Sequence, residues 1–230
     1  MKNFRIESVI LAAGMLLLGM CIRSGFNSFS NRDRSVSVKG LAEMEVPADM
    51  VTWAITYQIL GNDLISLYDE IKKSNQVVTQ FLKEKGIADT EISYSAPDIY
   101  VSKGDRWNNN ANQQFRYNVS STITITSKQT DKVRALISEQ GELLKKGIAI
   151  SNNSATYEYT ALNSIKPKMI EEATKNARAA ALKFAKDSDS KLGKIRHANQ
   201  GQFSIDDRDS STPYIKKVRV VTTIDYSLED

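Results

Sequence analysis

Between Pro167 and Ser190 the chain places Met169, Ile170, Ala173, Ala177, Ala180, Ala181 and Phe184 at three- and four-residue spacing. That spacing gathers them on one side of an α-helix. Because most of them are alanine, the axis of this helix has to come close to whatever it packs on. Glu171 and Glu172 near its start and Lys183 and Lys186 near its end suit the helix dipole. Pro167 fits a first turn, where no intrahelical N–H is required. The expected partner is the protein's own sheet, packed at short range, rather than a ligand in a groove.

Strand signals surround this helix. Val36, Val38 and Gly40 alternate in one segment and Val51, Trp53, Ile55 and Tyr57 in the next, with Pro47-Ala48-Asp49 as the turn between them. A long helix follows. Asn62 or Asp63 can cap it, Leu64, Leu67, Tyr68, Ile71, Val78, Phe81 and Leu82 form its apolar stripe, and Gly86 stands at its C-cap. Strands are expected at about 91–101 and 114–126, joined by the polar loop 103–112. A helix at 130–146 carries Val133, Leu136, Ile137 and Leu144 on one face and is closed by Gly147. A strand at 148–160, the alanine helix, and strands at 193–204 and 215–228 complete the order.

The fold class is therefore α+β: two β-α-β-β-like units, 34–128 and 129–230, with antiparallel sheet and long helices, preceded by an N-terminal hydrophobic segment. The last strands of the two units align as Val119–Thr126 against Val220–Ser227. Internal duplication and chance similarity between Thr/Val/Ile strands both account for that match.

The hydrophobic segment is Val9–Ile22, a run of 14 apolar or small residues flanked by Lys2, Arg5 and Arg23. As a helix it reaches about 21 Å, short of a hydrocarbon core of roughly 30 Å, which suits the apolar region of a signal peptide. Ser28-Phe29-Ser30 offers a weak cleavage site, far from the run. Residues 1–33 are read as a signal-anchor or a signal peptide with linker. Either way, export is expected: a membrane-anchored protein, held through residues 9–22 by a transmembrane segment, or a cleaved protein soluble in the periplasm.

The full chain carries a formal net charge of +4, but the leader supplies half of it, leaving +2 over the rest. So even a balance gives no electrostatic reason to expect nucleic acid. The single cysteine, Cys21, lies inside the leader and can form no intrachain disulfide.

The opening segment Val36-Ser-Val-Lys-Gly-Leu-Ala-Glu-Met-Glu-Val-Pro-Ala-Asp-Met50 and the helix containing Ala177-Arg178-Ala179-Ala180, running on into Leu192-Gly193-Lys194-Ile195, resemble the SIMPL-domain family. That family is named for a signalling molecule associated with a mouse pelle-like kinase. The resemblance covers nearly everything after residue 34. It implies a periplasmic or cell-surface location, an association with stress tolerance in some bacterial relatives, and ring-like or channel-like oligomers in others. Asp187-Ser188-Asp189-Ser190 departs from the glycine-like helix ending expected of the family.

No constellation for chemistry emerges from the residues. His197 has no second histidine, folded-part cysteine or nucleophile turn to work with. Asp187 with Asp189, and Asp206, Asp207 with Asp209, lack the glycine and distal glutamate of a calcium loop, and read as solvated loop charge. Neither a cofactor nor a metal is expected. Lys103, Arg106 and Trp107, with Phe115-Arg116-Tyr117 at the far end of the same loop, are the candidate contact residues. Trp107 either tucks onto its own domain or anchors a partner. The expectation is a non-enzymatic envelope protein that works by self-association, as a homo-oligomer, or by binding an unidentified protein partner. The alternatives are a carboxylate-based hydrolase and a small-molecule binding module, each in a cleft between the two repeats.

Overall fold

The computed structural model describes residues 3–30, 34–101 and 115–229, with the side chains of 3–7 and 23–30 left out. Its elements run α1 (Asn3–Ser30), β1 (Ser35–Pro47), β2 (Met50–Gly61), α2 (Leu64–Glu84), β3 (Ile92–Tyr94), β4 (Asp98–Val101), β5 (Tyr117–Ser127), α3 (Thr130–Glu139), α4 (Gly141–Lys145), β6 (Ile150–Glu158), α5 (Leu162–Asp187), β7 (Lys191–Gln200), β8 (Ser204–Asp207) and β9 (Ile215–Glu229). Helices and antiparallel sheet make an α+β fold, with a helix at the N-terminus. α1 leaves its apolar side chains exposed from Val9 to Ile22. The transmembrane helix considered for the leader is not found: among the described residues no helix is long and apolar enough to cross a membrane.

The order β-α-β-β occurs twice, around α2 and around α5, but the pairing exchanges strands between the two. One sheet runs β3-β5-β2-β6, with β4 also on β5; the other runs β1-β9-β7, with β8 also on β9. β1 and β2 are thus not a hairpin, although the short turn between them suggested one. β1 holds the place beside β9 that β2 holds beside β5, while β6, the strand before α5, pairs with β2. The chain divides into two compact units, one of residues 45–162 and 206–217, the other of 1–44, 163–205 and 218–230. β5 and β9, the segments that align in sequence, each have partners on both sides, as β2 does as well.

In the unit built on α2, alternation buries Val51, Trp53, Ile55 and Tyr57 of β2 and Val119, Ile123 and Ile125 of β5. Onto them α2 lays Leu67, Ile71, Val78, Phe81 and Leu82. Leu64 and Tyr68, assigned to the same stripe, are exposed at its outer end. Asp63, not Asn62, is the N-cap: its Oδ2 accepts the Ser66 N–H at 3.0 Å, while Asn62 Oδ1 accepts the Arg116 N–H at 2.8 Å.

Two of the expected elements are divided and another starts early. The strand at 91–101 divides into β3 and β4, because Pro97 cannot donate to the ladder and the register against β5 slips by one residue, from Tyr94↔Ile123 to Asp98↔Ser120. The helix at 130–146 divides at Gln140-Gly141 into α3 and α4, and this turns Leu143 inward and leaves Leu144 exposed. α5 begins at Leu162, so Pro167 falls inside the helix instead of in its first turn.

In the other unit the alanine seam packs closely, as its composition requires. Met169, Ala173, Ala177, Ala181 and Ala185 are buried. Opposite them β1 carries Gly40, where a Cβ would lie 1.9 Å from the Ala173 carbonyl oxygen and 2.6 Å from the Ala177 nitrogen. Asn176 Nδ2 donates to the Leu41 carbonyl at 2.8 Å alongside. Phe184, placed on the buried face by its spacing, is 59% exposed, and Ala185 takes its place in the seam.

Candidate functional site

Polar side chains converge at one position of α2. Its buried face runs Leu67, Ile71, Val78, Phe81, Leu82, and between Ile71 and Val78 the position that should be apolar is Asn75. The Tyr57 hydroxyl of β2 donates to Asn75 Oδ1, and Ser121 of β5 donates to the same oxygen at 3.3 Å. Tyr57 and Ser121 are both buried, and the strand alternation that delivers them is the one that builds the core. Burial pushes the Tyr57 phenol above its usual range, against the pull of the Ser121 hydrogen bond. With Oδ1 used twice, Asn75 has its Nδ2 hydrogens left to offer. One turn on, the Thr79 hydroxyl donates to the Asn75 carbonyl at 2.6 Å and so accepts from the Tyr94 hydroxyl at 2.8 Å.

These groups border a groove of about 470 Å³ between one flank of α2, from Lys72 to Lys83, and Tyr94 of β3. Its walls carry two lysines, three amides, the Thr79 hydroxyl and the Tyr94 ring, and no carboxylate. Lys83 is paired with Asp89 at 2.7 Å, whereas Lys72 has no partner among the described residues. A second depression, of about 450 Å³, lies on the other flank of α2 between Glu70 and Lys73, the end of β2 and Gly147-Ile148-Ala149.

Beside the first groove the sheet ends in β4. Ile99 and Val101 oppose Val119 and Tyr117, so they sit on the helix-bearing side of the sheet, yet among the described residues no helix covers them. Ile99 is 55% exposed, Tyr100 69% and Val101 41%, and no described strand pairs with the outer side of β4. β7 is a second such edge, exposed on both faces from Lys194 to Gln200.

Lys103, Arg106 and Trp107 lie outside the described residues. The ends of their loop are β4 on one side and Phe115-Arg116-Tyr117 on the other, where Phe115 is exposed and the Arg116 guanidinium lies 5.3 Å from the Tyr117 ring centre. His197 is exposed on β7, opposite Asp225 in register. The aspartates are spread among separate tasks. Asp187 ends α5, Asp207 pairs with Lys216, and Asp209 organises its own turn. Hydrogen bonds from the Thr212 hydroxyl and from Arg208 hold the Asp209 carboxyl at about 2. Among the described residues no three histidines, cysteines or acids gather to hold a metal ion.

Asn75 and the groove escaped the sequence reading. Their signal was present as a polar gap, four residues after Ile71 and three before Val78, in a stripe that is otherwise apolar. Ser121 is the matching interruption between Val119 and Ile123.

No curated protein matches the chain. The model of the SIMPL family, described as a protein of unknown function (DUF541), matches residues 36–225. That span takes in β1 with Gly40, the Asn75 cluster and the whole alanine seam, so the match rests on both units, and the chain belongs to the SIMPL family.

Proposed function

We propose that the protein is a non-enzymatic envelope protein, directed out of the cytoplasm by its leader and held at the membrane through residues 9–22, that acts by associating with further copies of itself. The observation that supports this is β4. It is a sheet edge whose three apolar residues, Ile99, Tyr100 and Val101, all face solvent. Unpaired edges of this kind recruit another strand unless charge, proline or a covering element protects them. Here the only charge on the strand is Asp98, at its first position. Two copies meeting edge to edge across a two-fold axis would continue the β3-β5-β2-β6 sheet, a self-complementary contact of the commonest symmetry. Trp107, in the loop that follows β4, is placed in the chain to add an aromatic anchor to that contact.

The test is the native mass of the protein, measured over a range of concentrations for the wild type and for Ile99→Lys, Tyr100→Asp and Trp107→Ala. Self-association predicts a multiple of the monomer mass that falls in the first two variants, with Trp107→Ala weakening it and circular dichroism unchanged. A wild type that stays monomeric at high concentration removes the reading.

A further inference from the structure

We propose that the groove between α2 and Tyr94 is a binding site for a small, singly charged, polyhydroxylated acid of the acidic-sugar class. The site rests on its own side chains and does not depend on self-association. Its size lies within the range of small-molecule sites. Charge sets the first limit: two lysines line it, Asp89 balances Lys83, and one cation, Lys72, is left over. A single uncompensated ammonium suits one carboxylate, whereas phosphates and nucleotides call for several cations or the two-pronged grip of an arginine.

The remaining groups select for hydroxyls. Asn75 is locked by Tyr57 and Ser121 so that its N–H donors are fixed before any ligand arrives. Gln80 Nε2 donates to Glu84 at 3.0 Å, which leaves its oxygen as an acceptor a short distance along the same wall. Gln76 lies between them with both functions. Amide donors and acceptors in sequence along one flank match vicinal hydroxyl groups, each of which donates and accepts. Tyr94 is half-exposed, held by Thr79, and offers a ring face for the C–H side of a sugar. An apolar ligand would strand these polar groups, and a bare carboxylate would use only Lys72 and Asn75.

Saturation-transfer NMR on the full chain, with D-glucuronate, D-glucose and acetate as probes, tests the assignment. Glucuronate is expected to bind at roughly millimolar strength, about fivefold more weakly in Lys72→Gln, the loss that one exposed ion pair accounts for. Glucose and acetate are each expected to bind more weakly than glucuronate, since each keeps only part of the contacts, and Tyr94→Leu should weaken both sugars while sparing acetate. Lys72 and Tyr94 are exposed, so neither change touches the core. No saturation of glucuronate overturns the proposal. So does equal binding in Lys72→Gln and the wild type, which moves the site elsewhere, or acetate binding as well as glucuronate, which reduces it to ion pairing.

Discussion

Helix α2 meets its sheet through Leu67, Ile71, Val78, Phe81 and Leu82, whereas α5 meets β1 through Ala173 and Ala177 against the bare backbone of Gly40. Bulky side chains hold the first helix away from its sheet, and the gap between them is wide enough to contain a polar cluster, Asn75 with Tyr57 and Ser121. The second helix lies too close for anything of the kind. Two grooves, of about 470 and 450 Å³, run along the flanks of α2. Spacing of helix from sheet thus decides which interface has room for buried polar side chains. It also decides how each unit fails: a thick interface suffers when a side chain is shortened, a thin one when it is lengthened.

The largest effect is expected from Phe81→Ala. Phe81 is fully buried against the β2–β5 core, with the ammonium groups of Lys85 and Lys146 each 5.6 Å from its ring centre. Removing the ring should cost about 3–5 kcal/mol, the range for deleting a buried aromatic. Denaturant unfolding gives the size, and amide exchange gives the place: protection should fall at Ile123 and Ile125 and hold at Ile224. Loss at all three would mean that the two cores do not fail separately.

Ala177→Leu or Gly40→Ala breaks the comparison from the other side. Each inserts atoms where helix and strand backbones already touch, at an expected cost of about 1–3 kcal/mol. Ala179→Leu, on the exposed face of the same helix, should be nearly silent. Equal losses at positions 177 and 179 would show that the seam does not set the distance.

These contrasts also show what a sequence carries. The seam was legible because alanine at three- and four-residue spacing has few other uses, and the cap glycines because Gly86 and Gly147 both adopt positive φ. The sheet assignments were not, since alternation in β1 and β2 reads the same whether they pair with each other or with β9 and β5. Phe184 misled for a related reason: its spacing fixes the angle at which it leaves the helix, but not whether a strand lies beneath it. The break between α3 and α4 had a visible cause in Gly141, whereas Asn75 needed the gap in its stripe to be treated as information. The edge at β4 depends on the one-residue slip at Pro97: the proline is visible in the sequence as a strand breaker, but the register on its far side is not.

The smallest effect sharpens the comparison at the helix ends. α2, α4 and α5 close in the same way, with the residue after the cap in the left-handed region and the next N–H reaching back five residues, Ile87 to Leu82, Ile148 to Leu143 and Ser190 to Ala185. In the α2 unit the left-handed residue is Gly86 or Gly147, at φ of 81° and 84°; after α5 it is Asp189, at 51°. A side chain there crowds the following carbonyl at a cost of about 1 kcal/mol. Open space surrounds Gly147, with nothing within 4 Å of an added Cβ, so Gly147→Asp isolates that backbone term and should destabilise by about 1 kcal/mol. Asp189→Gly should reverse it in the other unit, but gain only about 0.5 kcal/mol, because glycine also widens the freedom of the unfolded chain. Urea midpoints of the two variants, at unchanged slope, measure both. If Asp189→Gly destabilises instead, the aspartate is held by contacts of its own and the ends of α2 and α5 are equivalent in shape alone.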